Sequence, residues 1–353
     1  YEFYYNIEEP DPDDESVPVL LQNNSIVTPF EAVTGMYSLP GRHDIDPTAI
    51  LAPFYFLFFG LMLSDAAYGL ILTTLCAIIL KKYKPEGTTH RMIKMFMFCG
   101  LSTFMWGALF GGWFGNFFTV AAKTFFGKEF VIKPLWFDPL SEPMRLLVVS
   151  LILGAIHLFV GMGVQAYMDI KDGRPLDALF DIGLWYLLLI GIVLFAFGGK
   201  LGEGAVGIGK IMAIVGAVGI LLTGGRKKKG IFGKLTGGLG SLYGITSYLS
   251  DVLSYSRLLA LGLATGVVAQ VFNTLGSLAG GGIAGSILLI VVFAFGTVFN
   301  IAINALGAFV HSCRLQYVEF FGKFYTGGGR PFAPFERKTK YIKILKEGND
   351  NVK

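Results

Sequence analysis

Apolar segments make up most of this chain, and short polar segments separate them. Most are long enough to cross a bilayer as a helix, which takes roughly 20 residues. They read as predominantly apolar rather than as alternating apolar and polar positions, which favours membrane helices over amphipathic ones. The pattern predicts an all-α polytopic membrane protein. Its seven hydropathy peaks cover residues 49–80, 92–118, 144–168, 178–198, 208–225, 239–273 and 283–322.

The first peak is longer than one crossing requires, and Ser64 and Asp65 interrupt it. It is either one tilted helix or a hairpin of two. The positive-inside rule decides, because two helices with a cytoplasmic N-terminus place every basic cluster on the cytoplasmic side. We therefore expect about eight crossings with both ends cytoplasmic. The cytoplasmic segments would be 81–94, 169–177, 226–238 and the C-terminal tail.

The last two peaks are longer still. A continuous helix over residues 283–322 would extend about 60 Å, against a hydrocarbon core about 30 Å thick. The excess predicts tilt, kinking or protrusion. We expect the last two membrane helices to be long and tilted, and to face a common partner because each carries an arginine.

Composition supports this fold class and narrows the function. Hydrophobic residues are 53% of the chain, charged residues are 15%, and mean hydropathy is +0.60. The net charge is a modest +4, and the lysines and arginines cluster in the segments between the apolar peaks, so no nucleic-acid partner is expected. The chain contains no phosphate-binding GxxxxGK[ST] motif, so no ATP site of this kind is expected in it. Neither a disulfide, a metal nor a cofactor is expected; three buried cysteines are predicted, Cys76, Cys99 and Cys313.

The polar content divides the chain into three parts. Residues 1–48 are acidic and rich in proline, and we interpret them as a cytoplasmic connector. Residues 49–325 form the predicted transmembrane domain. Residues 326–353 form a predicted cytoplasmic tail.

Arg257 lies in the middle of an apolar stretch, and an intramembrane arginine costs about 2.5–3.5 kcal/mol on insertion scales. Such a side chain usually faces a bundle interior or a watery cavity. At 100° per residue, Ser254, Ser250 and Ser247 share its face. Asp251 points about 120° away, so its partner should lie on another element.

A second arginine, Arg314, follows in the last stretch. Its helix face carries His311, Asn304 and Asn300, and this stripe runs toward the outside. Two polar stripes meeting at arginines suggest two aqueous paths separated by a charged barrier. The alternative is that the hydroxyls and amides only bond between packed helices.

The other polar residues have structural alternatives. Asp65 beside Ser64 is expected to cap a helix rather than relay an ion. His157 lies between glycines at a spacing typical of tight helix packing. For His311 and Asp251, channel lining and structural roles are balanced. Glu319 is expected to lie near the cytoplasmic boundary in an interfacial role.

Several motifs resemble the a subunit, also called subunit I, of prokaryotic V-type and A-type rotary ATPases. The most specific are SYLSDVLSYSRLLALGLATG at 247–266 and HSCRLQYVEFFGKFY at 311–325. FGLMLSDAAYG at 59–69, GAIHLFVG at 154–161 and the GGGRPFAPF that begins at Gly327 extend the resemblance over essentially the whole chain.

This resemblance implies a stator in a prokaryotic cell membrane, beside a rotating c-type proteolipid ring that carries carboxylates. The other implied partners are a peripheral stalk, a d-type central subunit and an ATP-hydrolysing V1/A1 sector. Arg257 and Arg314 would face the ring. H⁺ or Na⁺ would pass through two half-channels, with pathway candidates Ser247, Ser250, Asp251, Ser254, Asn300, Asn304, His311, Gln316 and Glu319.

Two positions depart from the family pattern in ways that bear on the ion. Asn304 stands where eukaryotic members have glutamate, and Gln316 stands where they have histidine. Neutral amides suit either a partly hydrated Na⁺ or a water-filled proton path, so the transported ion stays open. The rival interpretations are a self-contained secondary transporter, against which the lack of an internal repeat argues, and a structural membrane anchor for a stalk.

Overall fold

The computed structural model describes residue 4 and residues 17–41, 44–127, 130–200, 203–226, 231–278, 280 and 282–333. These ranges are mainly helical, as predicted, and their strands are two short ones, β1 and β2. The helices are α1 Glu31–Tyr37, α2 Thr48–Leu63, α3 Ala66–Tyr83, α4 Gly87–Phe110, α5 Phe117–Phe126, α6 Pro143–Lys171, α7 Pro175–Asp177, α8 Leu184–Phe197, α9 Glu203–Thr223, α10 Ile231–Tyr243, α11 Ile245–Ser254, α12 Ser256–Ser277, α13 Ile283–Arg314 and α14 Phe321–Phe324.

The first apolar peak is two helices, as the charge distribution predicted. Helix α2 ends at Leu63 and α3 begins at Ala66, with Ser64 and Asp65 between them. Both helices pack against α4. Along α3, Ala66 meets Gly107 and Thr73 bonds the carbonyl of Met97, so α3 and α4 are antiparallel.

Segments before the first crossing and after the last one meet at the same end of the bundle. Strand β1, Pro18–Val19, pairs in parallel with β2, Arg330–Pro331. Asp44 accepts a hydrogen bond from the Gly327 amide at 2.7 Å. The number of crossings between these segments is therefore even. In the described ranges, seven apolar helical stretches are long enough to cross a membrane, and counting the shorter apolar helix α2 as a further crossing gives eight.

The same end carries the basic segments, and we call it the basic end. Lys94 bonds the carbonyl of Ser25 at 3.1 Å, which places the α3–α4 turn there. Arg226 pairs with Asp177 at 2.6 Å and Asp181 at 2.8 Å, which joins the start of the 226–238 segment to the region after α6. Tyr167, near the end of α6, lines a cavity with Ile45, which precedes α2, so three of the basic segments predicted to share one side lie at this end.

Aromatic packing around α2 forms the larger of two cores. Ten of the residues of α2 are buried, and Tyr55, Phe58 and Phe59 pack against α4, α6, α12 and α13. A smaller cluster joins α6, α8 and α9 through Met162, Ile182, Trp185, Leu188 and Ile220. Large apolar side chains cover much of the outer surface, as a bundle in lipid requires.

The two overlong peaks form the long helical spans Thr236–Ser277 and Ile283–Phe324, as predicted, and each contains turns that depart from a regular α-helix. The 239–273 stretch consists of α10, α11 and α12, with junctions at Gly244 and Tyr255. The last stretch passes from α13 through a π-helical turn, Leu315–Phe320, into α14. One predicted boundary was wrong: the 92–118 peak ends as a helix at Phe110, because Gly111 adopts a left-handed conformation that closes α4.

Candidate functional site

Arg257 is paired with a carboxylate from the last helical segment. Its Nη1 lies 3.3 Å from Oε1 of Glu319, and the Glu319 side chain is 3% exposed against 25% for Arg257. Ser254, one turn before Arg257, donates its hydroxyl to the same oxygen of Glu319. Glu319 is therefore buried inside the bundle, and its expected position near the cytoplasmic boundary stays a prediction. The π-helical turn that contains it directs the carboxylate into the bundle, onto the junction of α11 and α12.

Asp251 has a partner on another element, as its position on the helix indicated. Lys323 on α14 donates to Asp251 Oδ2 at 2.5 Å, and its ammonium lies 4.3 Å from the ring centroid of Tyr248. Two ion pairs, Arg257–Glu319 and Asp251–Lys323, therefore connect α11 and α12 to the last helical segment, which runs antiparallel to them. Lys323 was missed from sequence. The signal was available, since Glu319 and Lys323 stand four residues apart with charges opposite to those of Arg257 and Asp251.

Arg314 lies on the outside of the bundle. It is exposed, and it forms no hydrogen bond or ion pair with any residue that the structure describes. The same surface of α13 and the following turn exposes large apolar side chains, among them Ile303, Val310 and Val318. His311, one turn before Arg314, is half-buried. Because Arg257 pairs with Glu319, which follows Arg314 by five residues, the two arginines belong to one region, with one cation partly inside and the other facing outward.

The three serines on the helix face of Arg257 differ in exposure. Ser247 and Ser250 are exposed, whereas Ser254 is half-buried and bonded to Glu319. Leu249 and Leu253 beside them are exposed as well. Helices α11 and α13 therefore both present apolar side chains outward near the arginines.

The amides of the second stripe turn inward. Asn300 is fully buried and donates to Tyr68 Oη at 3.0 Å and to the Thr265 carbonyl at 3.1 Å. Asn304 is buried and donates to the Asn300 carbonyl at 3.1 Å. These bonds join α13 to α3 and α12, which is the packing role considered as the alternative for this stripe.

His157 is the centre of a buried network. Its Nδ1 lies 2.8 Å from Tyr255 Oη and its Nε2 lies 3.1 Å from Gln316 Oε1, while its ring stacks on Phe320 with centroids 4.4 Å apart. With Tyr255 donating to Nδ1, the imidazole carries its proton on Nε2 and donates to Gln316. The expected structural role of His157 is thus accounted for.

Asp65 caps α3, as expected. Its carboxylate accepts hydrogen bonds from the backbone amides of Ala67, Tyr68, Phe114 and Gly115, at 2.9–3.2 Å. The first two belong to the opening turn of α3, whose amides have no partner within the helix. A cavity of about 220 Å³ adjoins this tip. The carboxylate joins the α2–α3 hairpin to the loop after α4.

The part of the chain that contains both arginines matches a known sequence family. Residues 245–337 match the model of the V-type ATPase 116 kDa subunit family. The A-type ATP synthase subunit I of Methanocaldococcus jannaschii is 36% identical to this chain over 96% of the chain and 52% of its own length. The chain belongs to the subunit I family of A-type and V-type ATP synthases.

Other subunit I proteins match over a similar extent. The A-type ATP synthase subunit I of Thermococcus kodakarensis is 37% identical over 97% of this chain and 51% of its own length. The V-type ATP synthase subunit I of Chlamydia muridarum is 25% identical over 93% of the chain and 57% of its own length. The chain spans about half the length of the curated relatives it matches.

Proposed function

We propose that this chain is the membrane stator of an A/V-type rotary ATPase, in which Arg257 and Arg314 face the carboxylates of a rotating proteolipid ring. The observation that carries the proposal is Arg314, which is exposed among apolar side chains, lies one helix from Arg257 and has no ion-pair partner in the described part of the chain. A permanent cation facing lipid is costly. A partner helix that brings a carboxylate to this surface removes that cost.

The chemistry follows from the permanent charge of arginine. A ring carboxylate that crosses the stator surface loses its bound ion, and in a medium of low dielectric constant that charge needs a fixed cation nearby. Arg257 supplies the cation, which favours release of the ion into one half-channel. Because Arg257 repels cations, it also blocks direct leakage between the two half-channels.

The proposed half-channels open on opposite sides of the membrane. Ser247, Ser250, Asp251, Ser254 and Glu319 belong to the cytoplasmic one. Asn300, Asn304, His311 and Gln316 belong to the outer one; the transported ion is H⁺ or Na⁺. The basic end is assigned to the cytoplasm because basic loops favour that side.

The remaining assignments concern the whole complex. Residues 1–48 connect to a cytoplasmic stalk domain, residues 49–325 translocate the ion and residues 326–353 form a cytoplasmic tail. The complex lies in a prokaryotic cell membrane. ATP is hydrolysed or made by a V1/A1 sector, which a peripheral stalk and a d-type central subunit connect to the membrane part.

Reconstitution of the purified complex into vesicles tests this function. We expect ion uptake that requires ATP and stops when the ring carboxylates are modified. Vesicles that contain this subunit alone should show no ion exchange driven by a gradient. Such exchange would instead support a secondary transporter. Repeating the ATP-driven assay with and without Na⁺ identifies the ion, because acidification that persists without Na⁺ excludes sodium coupling.

A further inference from the structure

We propose that Glu319 is an internal counterion of Arg257 that exchanges with the ring carboxylate during each passage. This role rests on the proposed stator function and adds a positioning residue to it. When no ring carboxylate faces the stator, Arg257 is neutralised from inside the bundle by Glu319. When one arrives, the guanidinium shifts its interaction outward and Glu319 keeps the hydrogen bond from Ser254.

The two side chains differ in burial in the way an exchange requires. Glu319 is 3% exposed and Arg257 is 25% exposed, so the carboxylate lies on the inner side of the guanidinium. Only Nη1 of Arg257 contacts Glu319. A guanidinium has five N–H donors in a planar fork, so others remain for a second carboxylate approaching from outside.

Ser254 stabilises the Glu319 carboxylate while Arg257 interacts with the ring. Its hydroxyl donates to the same Oε1 that receives Arg257. A buried carboxylate with no partner carries a large desolvation penalty, so the serine retains part of the stabilisation while Arg257 turns away. The opposite oxygen, Oε2, is buried and has no hydrogen-bond partner among the described residues. Glu319 is thus held at one oxygen and not fixed by a bidentate arrangement.

The neighbouring carboxylate cannot take this role. Asp251 is engaged by Lys323 at 2.5 Å, with Tyr248 against the ammonium. Glu319 is therefore the carboxylate available to Arg257 within the described part of the chain. The charged and titratable groups that the contacts place in this region are Arg257 itself, the Asp251–Lys323 pair with Tyr248 against the ammonium, and His157 with Tyr255; His311 and Arg314 precede Glu319 on the same helical segment.

In this arrangement Glu319 weakens the attraction between Arg257 and the ring carboxylate. An unopposed Arg257 would hold the empty ring carboxylate tightly and disfavour reloading with an ion. The negative charge of Glu319 offsets part of that field, which allows the ring carboxylate to bind an ion at a lower concentration and to leave. Removing the charge of Glu319 should therefore weaken ion loading.

The test measures ATP-driven transport by the complete complex while the concentration of H⁺ and then of Na⁺ on the loading side is varied. Glu319→Gln, which keeps the shape and loses the charge, should raise the half-saturating ion concentration by roughly five- to tenfold. Glu319→Asp keeps the charge and should return it to within about twofold. Glu142→Gln removes a carboxylate from an exposed pair with Arg145 and should leave it unchanged.

A lower maximal rate with an unchanged half-saturating concentration in Glu319→Gln would mean a purely structural carboxylate and would overturn the counterion role. If that variant fails to assemble, Ser254→Ala decides. Losing the serine strengthens the Arg257–Glu319 pair, so the half-saturating concentration should fall, and an unchanged or raised value counts against the proposal. Arg257→Ala distinguishes failure of the counterion role from failure of the stator function, since normal transport by that variant would overturn the stator function itself.

Discussion

Arg257 shows how a costly residue is accommodated within the protein. Its ion-pair partner is Glu319 from the last helical segment, and Ser254, one turn before Arg257, donates to the same carboxylate oxygen. The arginine, the serine and the spacing between them can be read from sequence. The pairing with Glu319 cannot, because it depends on which helices become neighbours and on a π-helical turn that changes the direction of one side chain.

At this scale, Asp65 was the easier residue to predict. A carboxylate before a helix start has a local role that propensity describes well, namely capping free backbone amides. Its two further bonds, to Phe114 and Gly115, come from a loop about fifty residues away. Those bonds follow from tertiary packing.

The network around His157 gives a stability prediction. His157→Ala removes both bonds of the imidazole, leaves Tyr255 and Gln316 without this buried partner and opens a cavity beside Phe320. We expect a loss of about 3–5 kcal/mol in unfolding free energy, measured by denaturant unfolding in detergent. Tyr255→Phe removes only the hydroxyl and should cost about 1–3 kcal/mol. Equal effects of the two substitutions would show that the imidazole is not the centre of the network.

At the scale of elements, glycines determine which helices can approach. A Cβ at Gly107 would lie 2.0 Å from the Ala66 amide nitrogen, and one at Gly154 would lie 2.2 Å from the Tyr255 ring. Small residues at helix interfaces allow such contacts in membranes. The sequence shows many glycines, but it does not tell which of them face a neighbouring helix.

Gly107→Ala should therefore separate α3 from α4 and destabilise the protein by about 2–4 kcal/mol, because the nearby atoms are backbone and cannot move aside. The control is Gly207→Ala on α9, where a Cβ meets nothing within 4 Å. That change should be neutral or stabilise by up to about 1 kcal/mol through helix propensity. Thermal unfolding of the purified variants compares them. Similar melting temperatures for both would contradict the close α3–α4 approach.

The same scale shows where hydropathy is informative. It located all the long apolar helices and, with the basic clusters, the hairpin at Ser64 and Asp65. It did not locate the junctions at Gly244 and Tyr255, since neither residue excludes a continuous helix. Both junction residues contact other elements. Gly244 packs against Trp185, and Tyr255 bonds to His157.

For the whole molecule, the pairing of β1 with β2 makes the number of crossings even. This predicts that the α3–α4 turn and the α12–α13 turn lie on opposite sides of the membrane. Two single-cysteine variants, Lys84→Cys and Leu278→Cys, test this placement of the turns. Both are made in a background in which the native buried cysteines are replaced. A membrane-impermeant thiol reagent should label the first only from the cytoplasmic side and the second only from outside. Labelling of both from the same side would exclude eight crossings.

The central claim is that Arg257 acts on the ring carboxylate, and the most direct measurement is ATP-driven ion transport by the reconstituted complex carrying Arg257→Ala. Arg257→Lys is the companion variant, because it retains a cation but loses the planar fork that engages carboxylates. We predict that Arg257→Ala abolishes transport while the complex still assembles, and that Arg257→Lys does not restore it. Transport at the wild-type rate by assembled Arg257→Ala complex would contradict the account.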